Sequence, residues 1–396
     1  MEIEILHDER LRSWCARLEM PLSAIEELAR VGGKIREETR LLEIFAAFHE
    51  KTAIHDEWER EWVHLEFDPY VEERLGQSTS LFYLLIYLAA LPYAEKEYLR
   101  LGIPMDIFQA TMQDITVWLC NNSELCDYWQ FSQFPWIWRH LSCRLFRLGR
   151  LQYMLAPFEG HATAFRRKDG GDIRLLCSPW VPLRADGYAE GAGGKETGQE
   201  PWNAIFAASP EGWRGNLVSP YGFVVREPIF LPASEWELAL QEGDTILDLH
   251  IPRAKSMTVE ECHDSFLQAF EFFPRYFPER PFKACYCHTW FFTPQLQQLL
   301  PPSSNIVRFQ REFYLFPYAG GPGFLWSFVF GEKYPDPATA PRNTSLRRAV
   351  LDWLAEDKEL FDLPGVMFHG PEQWGSQPYM SWWDLCRKET AGSKRQ

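Results

Sequence analysis

Apolar residues recur every three or four positions through the first 148 residues of this chain, and the period then shortens. Leu41, Leu42, Phe45 and Phe48 fall on one helical face, as do Phe108, Met112, Ile115 and Leu119. Pro21, Pro69, Pro92, Pro104 and Pro135 stand where helices are predicted to start or stop. At Leu148 to Leu155 the pattern changes to a short strand-like run. From there the order is strand, strand, loop, strand, helix, strand. The stretch 184–216 is rich in glycine and polar residues without a sustained period, which predicts a surface excursion. A second loop is expected at 334–341 and a polar, frayed tail at 387–396. The predicted organisation is a helical domain over 1–148 and an α+β domain over 149–386.

The most informative stretch lies between Gly243 and Phe316. Thr245 to Pro252 is a compact strand signal, with Leu247, Leu249 and Ile251 on one face and Ile246, Asp248 and His250 on the other. Arg253 to Met257 forms a linker into Thr258-Val-Glu-Glu261, where Thr258 and Glu261 have the spacing of a capping box. Val259, Cys262, Phe266, Phe270 and Phe273 make an apolar helical stripe that Pro274 is expected to end or kink. Phe282 to Phe292 is a second buried strand signal. Strand, linker, capped helix and strand predict a right-handed βαβ crossover. In such a unit the helix N-terminus sits at the carboxyl edge of the sheet, where N–H groups can hold a pyrophosphate. Arg253 and Lys255 add positive charge there.

Composition narrows the partners. Apolar residues make up 46% of the chain, with 17 Trp and 29 Phe, so both halves can bury a core. A net charge of −15 argues against a nucleic-acid partner and against docking on anionic leaflets. The acidic start, Met1-Glu-Ile-Glu, lacks the basic region and apolar core of a secretory signal. The longest apolar run, Leu81 to Leu91, is interrupted by Pro92 and is shorter than the roughly 20 residues of a membrane span. No membrane insertion is expected. Nine cysteines without disulfide-type spacing point to reduced thiols and a cytoplasmic setting. Cys285-Tyr-Cys287-His288 invites a metal reading, but no second ligand pair has zinc-like spacing, so no metal is expected. Nothing in the sequence sets the oligomeric state.

Tyr98 to Ile107, Thr111 to Ile115, Leu145 to Gln152, Leu249-His-Ile-Pro252, Cys287 to Leu296, Leu300 to Gln310 and Asn343 to Arg347 resemble motifs of a bacterial acyltransferase-domain family with an N-acyltransferase N-terminal helical domain and a GNAT-like C-terminal domain. The resemblance covers about residues 35–370. It implies an all-helical domain followed by a GNAT-like mixed β-sheet flanked by helices. It further implies transfer of an acyl group from acyl-CoA, as co-substrate, to an amine or hydroxyl acceptor that the sequence does not identify. Both partners would be small molecules, with the acceptor between the halves. The linker Arg253–Met257 departs from the usual GNAT phosphate loop in having no glycine. That departure keeps two other readings open, a non-catalytic module that senses CoA or another ligand and an interaction scaffold.

Direct acyl transfer needs a base, an oxyanion donor and an acid for the departing thiolate. His250 is the first candidate for the base, with Asp248 two residues away on the same face as a charge partner or alternative base. His288 and Tyr286 share a face of the second strand and are candidates for the acid. What the resemblance implies for the donor site is Leu249, Ile251, Arg253, Lys255, Ser256, Met257, Thr258 and Asn305. Cys287 is expected to be buried and therefore a poor nucleophile. Asp114 is a candidate to cap its helix or pair with Arg147 or Arg150, and Trp118, Trp129, Trp136 and Trp138 to line an apolar acceptor cleft.

Overall fold

A computed structural model describes residues 3–53, 66–124, 126–194, 196–198, 200–253, 257–331, 336–380 and 383. The chain divides into two compact units, 1–148 with 152–154, and 149–151 with 155–396.

The first unit is helical. Its elements are α1 (Asp8–Arg17), α2 (Leu22–Glu37), α3 (Thr39–Ala53), α4 (Pro69–Leu75), α5 (Thr79–Leu101), α6 (Met105–Met112), α7 (Asp114–Ser123) and α8 (Phe134–Leu141). Strand β1 (Leu145–Leu148) follows and leads into β2 (Leu151–Pro157). Pro21 and Pro104 occupy N-cap positions, and Pro69 and Pro135 lie in the first turns of α4 and α8. There the missing N–H costs nothing. Pro92 behaves differently, because α5 continues past it to Leu101. An interior proline costs a helix about 3 kcal/mol. Every residue from Leu81 to Leu91 is buried, and that packing outweighs the local penalty. The stretch Pro69–Leu101 is thus long and apolar enough to cross a membrane, and 78% of its apolar window is buried inside the protein.

The second unit holds two sheets. In the first the order is β2, counting through Leu155–Pro157, then β11 (Thr245–His250), β12 (Cys285–His288), β14 (Pro364–Met367) and β13 (Tyr314–Leu315). β11 and β12 are parallel, joined by α9 (Val259–Tyr276), whereas β12–β14 and β13–β14 are antiparallel. The expected crossover is present, with two differences. Helix α9 continues two residues beyond Pro274. The second strand spans only Cys285–His288, because Trp290–Phe292 turns into a 3-10 helix started by Thr289, whose hydroxyl accepts the Phe291 N–H. Further on lie α10 (Leu296–Leu299), α11 (Asn305–Gln310), α12 (Gly323–Leu325) and α13 (Ser345–Ala355).

The second sheet is antiparallel, built from β3 (Ala162–Arg167), β4 (Ile173–Cys177), β7 (Phe206–Ser209), β8 (Gly212–Val218), β9 (Val224–Pro232) and β10 (Trp236–Leu240). Its order is β10-β3-β4-β8-β7, with β9 also on β8. A small ribbon pairs β5 (Pro182–Leu183) with β6 (Trp202–Asn203). Part of the stretch expected as a loop at 184–216, over β6, β7 and the start of β8, is therefore strand. Ser209 pairs with Gly212 across the turn Pro210–Glu211, and Phe206 with Gly215. Three of the four residues of β7 are exposed, so no apolar alternation marks it. Ala164 and Leu175 from this sheet join Ile246, Tyr314 and Val366 from the first in one core.

Candidate active site

The period-2 geometry of β11 puts Asp248 and His250 on one face while Leu247 and Leu249 are fully buried. His250 Nε2 lies 3.2 Å from Asp248 Oδ2, and both side chains keep partial solvent access. Asp248 Oδ1 is buried and has no hydrogen-bond partner among the described residues. In the parallel register Asp248 stands beside Tyr286 and Leu249 beside Cys287. The sheet is thus closed through Leu249 and Cys287. The two strands have room to diverge only beyond that pair, at His250 and His288, where both end.

On β12, Tyr286 and His288 share the face that Asp248 addresses. The Tyr286 ring packs edge-on against Phe158, 6.4 Å between centroids, and tilted against Phe316 at 6.3 Å. Burial, helped by the charge of Asp248, drives its phenol far above the ordinary value. His288 sits edge-on to Tyr318 at 4.6 Å and to Phe324 at 5.3 Å. Burial holds His288 below the usual imidazole value, although the backbone carbonyl of Asp362 and the charge of Asp248 pull the other way. Its Nε2 is buried without a partner among the described residues, which leaves Nδ1 for that carbonyl. A depressed imidazole is neutral at pH 7, and a raised phenol keeps its proton. Both groups are therefore better hydrogen-bonding partners than proton donors to a thiolate.

Three further residues complete this wall. His161 contacts Trp180 at 4.8 Å, Tyr318 at 5.4 Å and Phe316 at 6.3 Å, and burial lowers its pKa. Trp180 is 55% exposed and Phe324 45%, so an aromatic surface opens beside the two histidines. Asp362 is almost fully buried and accepts from the Thr293 hydroxyl at 3.1 Å and the Phe324 N–H at 3.0 Å. No local sequence signal marks His161, Tyr318 or Asp362. They come from a strand connection and two loops, and only the topology brings them to β12.

At the corner between β11 and α9, the capping box is formed on both sides. The Thr258 hydroxyl accepts the Glu261 N–H at 3.1 Å, and Glu261 Oε2 accepts the Thr258 N–H at 2.8 Å. Two N–H groups of the first turn are thereby taken, and Glu260 and Glu261 both lie in that turn. Ile251 is half-buried and Arg253 exposed, while Leu249 and Met257 are buried. Lys255 and Ser256 lie outside the described residues. The Asn305 side-chain amide donates to the Met257 carbonyl at 2.8 Å and so tethers the end of the linker. Arg150 donates to the Pro252 carbonyl at 3.0 Å and tethers its start. The turn before Arg150 depends on Gly149, whose φ of +65° strains any residue with a side chain, and a Cβ there would press on the Gln268 amide at 3.0 Å.

Other expectations resolve differently. Asp114 does not take an arginine. Its Oδ2 lies 3.2 Å from His140 Nε2 and accepts the Trp136 indole N–H at 2.8 Å. Burial would raise this carboxyl, but His140, Trp136 and Gln152 hold it below the ordinary value. Trp118, Trp129, Trp136 and Trp138 are half-buried within the first unit. Cys285 and Cys287 are buried, and burial lifts both thiols far above their usual range. Among the described residues no three metal-binding side chains converge.

A family model described as the GNAT-like C-terminal domain matches residues 145–367, and one described as the N-acyltransferase N-terminal domain matches residues 9–143. No curated protein matches the chain. Among solved structures, an acyltransferase mutant in complex with octanoyl-CoA is similar with a TM-score of 0.62 at 20% identity, over 91% of this chain and 88% of that one. An acyltransferase in complex with CoA and 10C-teicoplanin gives 0.62 at 20%, over 90% and 87%. Another, with decanoyl-CoA and teicoplanin, gives 0.62 at 20%, over 90% and 86%. At this identity the likeness is one of fold.

Proposed function

Since the chain belongs to the GNAT-like C-terminal domain family, we propose that it is an acyltransferase carrying an acyl group from acyl-CoA to an amine or hydroxyl by direct attack. The observation that carries this reading is the Asp248–His250 pair at the carboxyl end of β11, next to the helix corner of a βαβ unit. His250 is the base. It takes the proton from the acceptor nitrogen or oxygen as that atom attacks the thioester carbonyl. Asp248, 3.2 Å away, favours the imidazolium that results. The carbon–sulfur bond then breaks, and the thiolate recovers the proton that His250 holds. His288, neutral and tied through Nδ1, presents a lone pair toward the acceptor, and Tyr286 presents a phenolic hydrogen bond.

The donor would lie along Leu249 and Ile251, with its phosphates near Arg253, Lys255, Ser256, Met257, Thr258 and Asn305. The octanoyl-CoA and decanoyl-CoA bound by the similar structures support a CoA thioester of medium chain length as donor. Eight described cysteines without a disulfide fit a reducing, cytoplasmic compartment. One observation favours a second reading, a CoA-sensing module without turnover: the capping box has already taken two first-turn N–H groups from a linker without glycine.

The test is CoA release measured with acyl-CoAs of graded chain length and a panel of amines and alcohols, alongside donor-induced stabilisation. A His250→Ala variant is expected to lose about 10²–10⁴-fold in turnover while keeping the donor-induced shift. Undiminished turnover removes His250 as the base. Donor binding without turnover on every acceptor favours the sensor, and no stabilisation by any thioester overturns both.

A further inference from the structure

A polar cavity of about 250 Å³ is lined by Arg166, Gly171, His369, Gly370, Glu372 and Tyr379 among others. Its inner wall is a buried chain of polar groups that the acyl-transfer reading does not use. His369 Nε2 lies 3.0 Å from Glu312 Oε2, with side chains 4% and 2% exposed. His369 Nδ1 lies 3.3 Å from the Tyr379 hydroxyl, which accepts the Phe368 N–H at 2.8 Å. Desolvating a carboxylate against an imidazole costs several kcal/mol that their attraction only partly offsets. Such an array fixes the wall without adding net stability.

Arg166, on β3, lines the same cavity half-buried, and among the described residues it makes no ion pair or side-chain hydrogen bond. Its cross-strand neighbour Glu237 does not reach it. An exposed pair of that kind would contribute no more than about 1 kcal/mol, too little to hold the guanidinium away from the cavity. The other carboxylates nearby are accounted for. Asp172 pairs with Arg174 at 3.0 Å, Glu312 with His369, and Glu372 lies exposed at the rim. We propose that this cavity binds a small monocarboxylate, with its two oxygens on the Arg166 guanidinium and its body against His369 and Tyr379. The planar fork of arginine matches two carboxylate oxygens. A dianion such as hydrogen phosphate would bring two charges to the Arg166 guanidinium and meet the Glu372 carboxylate at the rim, so the site selects single charge.

Ligand-observed NMR on the full chain at constant ionic strength tests this, with propionate and inorganic phosphate as separate probes. Wild type, Arg166→Ala and Arg167→Ala are compared. Arg167 is an exposed neighbour already paired with Asp169 at 3.2 Å, and so controls for net charge. Propionate is expected to bind saturably, at least about tenfold more weakly to Arg166→Ala, and within about twofold of wild type to Arg167→Ala. Equal propionate binding by Arg166→Ala, phosphate binding as tight as propionate, or no saturable binding to the wild type each overturns the proposal.

Discussion

Replacing Asp362 by asparagine should change how stability depends on pH, in a calculable direction. The side chain is 1% exposed, and burial lifts its pKa from 3.8 to about 6 despite hydrogen bonds from Phe324, Thr293 and Leu325. Below pH 4 the group is protonated whether the chain is folded or not, and contributes its full share of stability. Between pH 4 and 6 the unfolded chain gives up this proton while the folded chain keeps it, so stability falls as pH rises. Above the folded value the loss is complete. At about 1.4 kcal/mol per pH unit, it comes to roughly 3 kcal/mol. Asparagine keeps an oxygen for Thr293 and Phe324 but cannot ionise.

The assay is chemical unfolding of both proteins at several pH values from 4 to 7.5, following the transition of the C-terminal unit. The quantity of interest is the wild-type stability minus that of the variant, in which other titrating groups cancel. That difference should fall by about 3 kcal/mol across the window and level off beyond it. A flat difference would show that Asp362 titrates normally in the folded chain. A difference that rose with pH would mean a depressed carboxyl, reversing the assignment.

Alkylation should follow burial. Cys120 and Cys126, partly exposed, should label first in the native protein, whereas Cys262, pushed up to about 12, and the still higher Cys285 and Cys287 should stay unmodified until denaturant is added, as read by mass spectrometry of peptides. Glu261→Gln retains a carbonyl oxygen for the Thr258 N–H and removes a negative charge from the start of α9. CoA should then bind a few-fold tighter at low ionic strength, by about the 0.3–1 kcal/mol that a charge at a helix terminus exchanges with the dipole, and calorimetry showing no change would place the pyrophosphate elsewhere.

Periodicity made the helices of the first unit and the βαβ crossover legible, and the spacing of Thr258 and Glu261 identified a cap that the structure forms atom for atom. Asp248 and His250 were legible as a pair because a strand returns to the same face every two residues. Local rules failed where tertiary packing overruled them. Pro92 is a helix breaker by itself, yet it sits after eleven consecutive buried residues whose packing holds α5 together. The antiparallel sheet was obscured for the opposite reason, since strands such as β7 expose most of their residues and leave no apolar rhythm. His161, Tyr318 and Asp362 reach the β12 wall through loops, and a loop residue's partners are set by topology rather than by spacing.

In the proposed donor site, a corner without glycine would serve a phosphate through charge rather than close backbone approach. Glycine usually helps by letting backbone N–H groups approach the anion closely. Here the capping box satisfies the Thr258 and Glu261 N–H groups internally, and the Thr258 N–H holds the Glu261 carboxyl below its ordinary value, so the first turn keeps its negative charge at working pH. Dipole and N–H donors alone would therefore bind a pyrophosphate weakly at this corner. What offsets the carboxylates is cationic. Arg150 is fastened to the Pro252 carbonyl, close enough to help lower the Glu261 carboxyl and to oppose the burial that raises Cys262, and Arg253 follows Pro252 on the exposed side. Recognition by two guanidinium groups depends more on ionic strength than recognition by backbone amides, because salt screens exposed charges over about 10 Å. A donor affinity that falls steeply with added salt is therefore what this arrangement requires, and a salt-independent affinity would return the phosphates to the backbone.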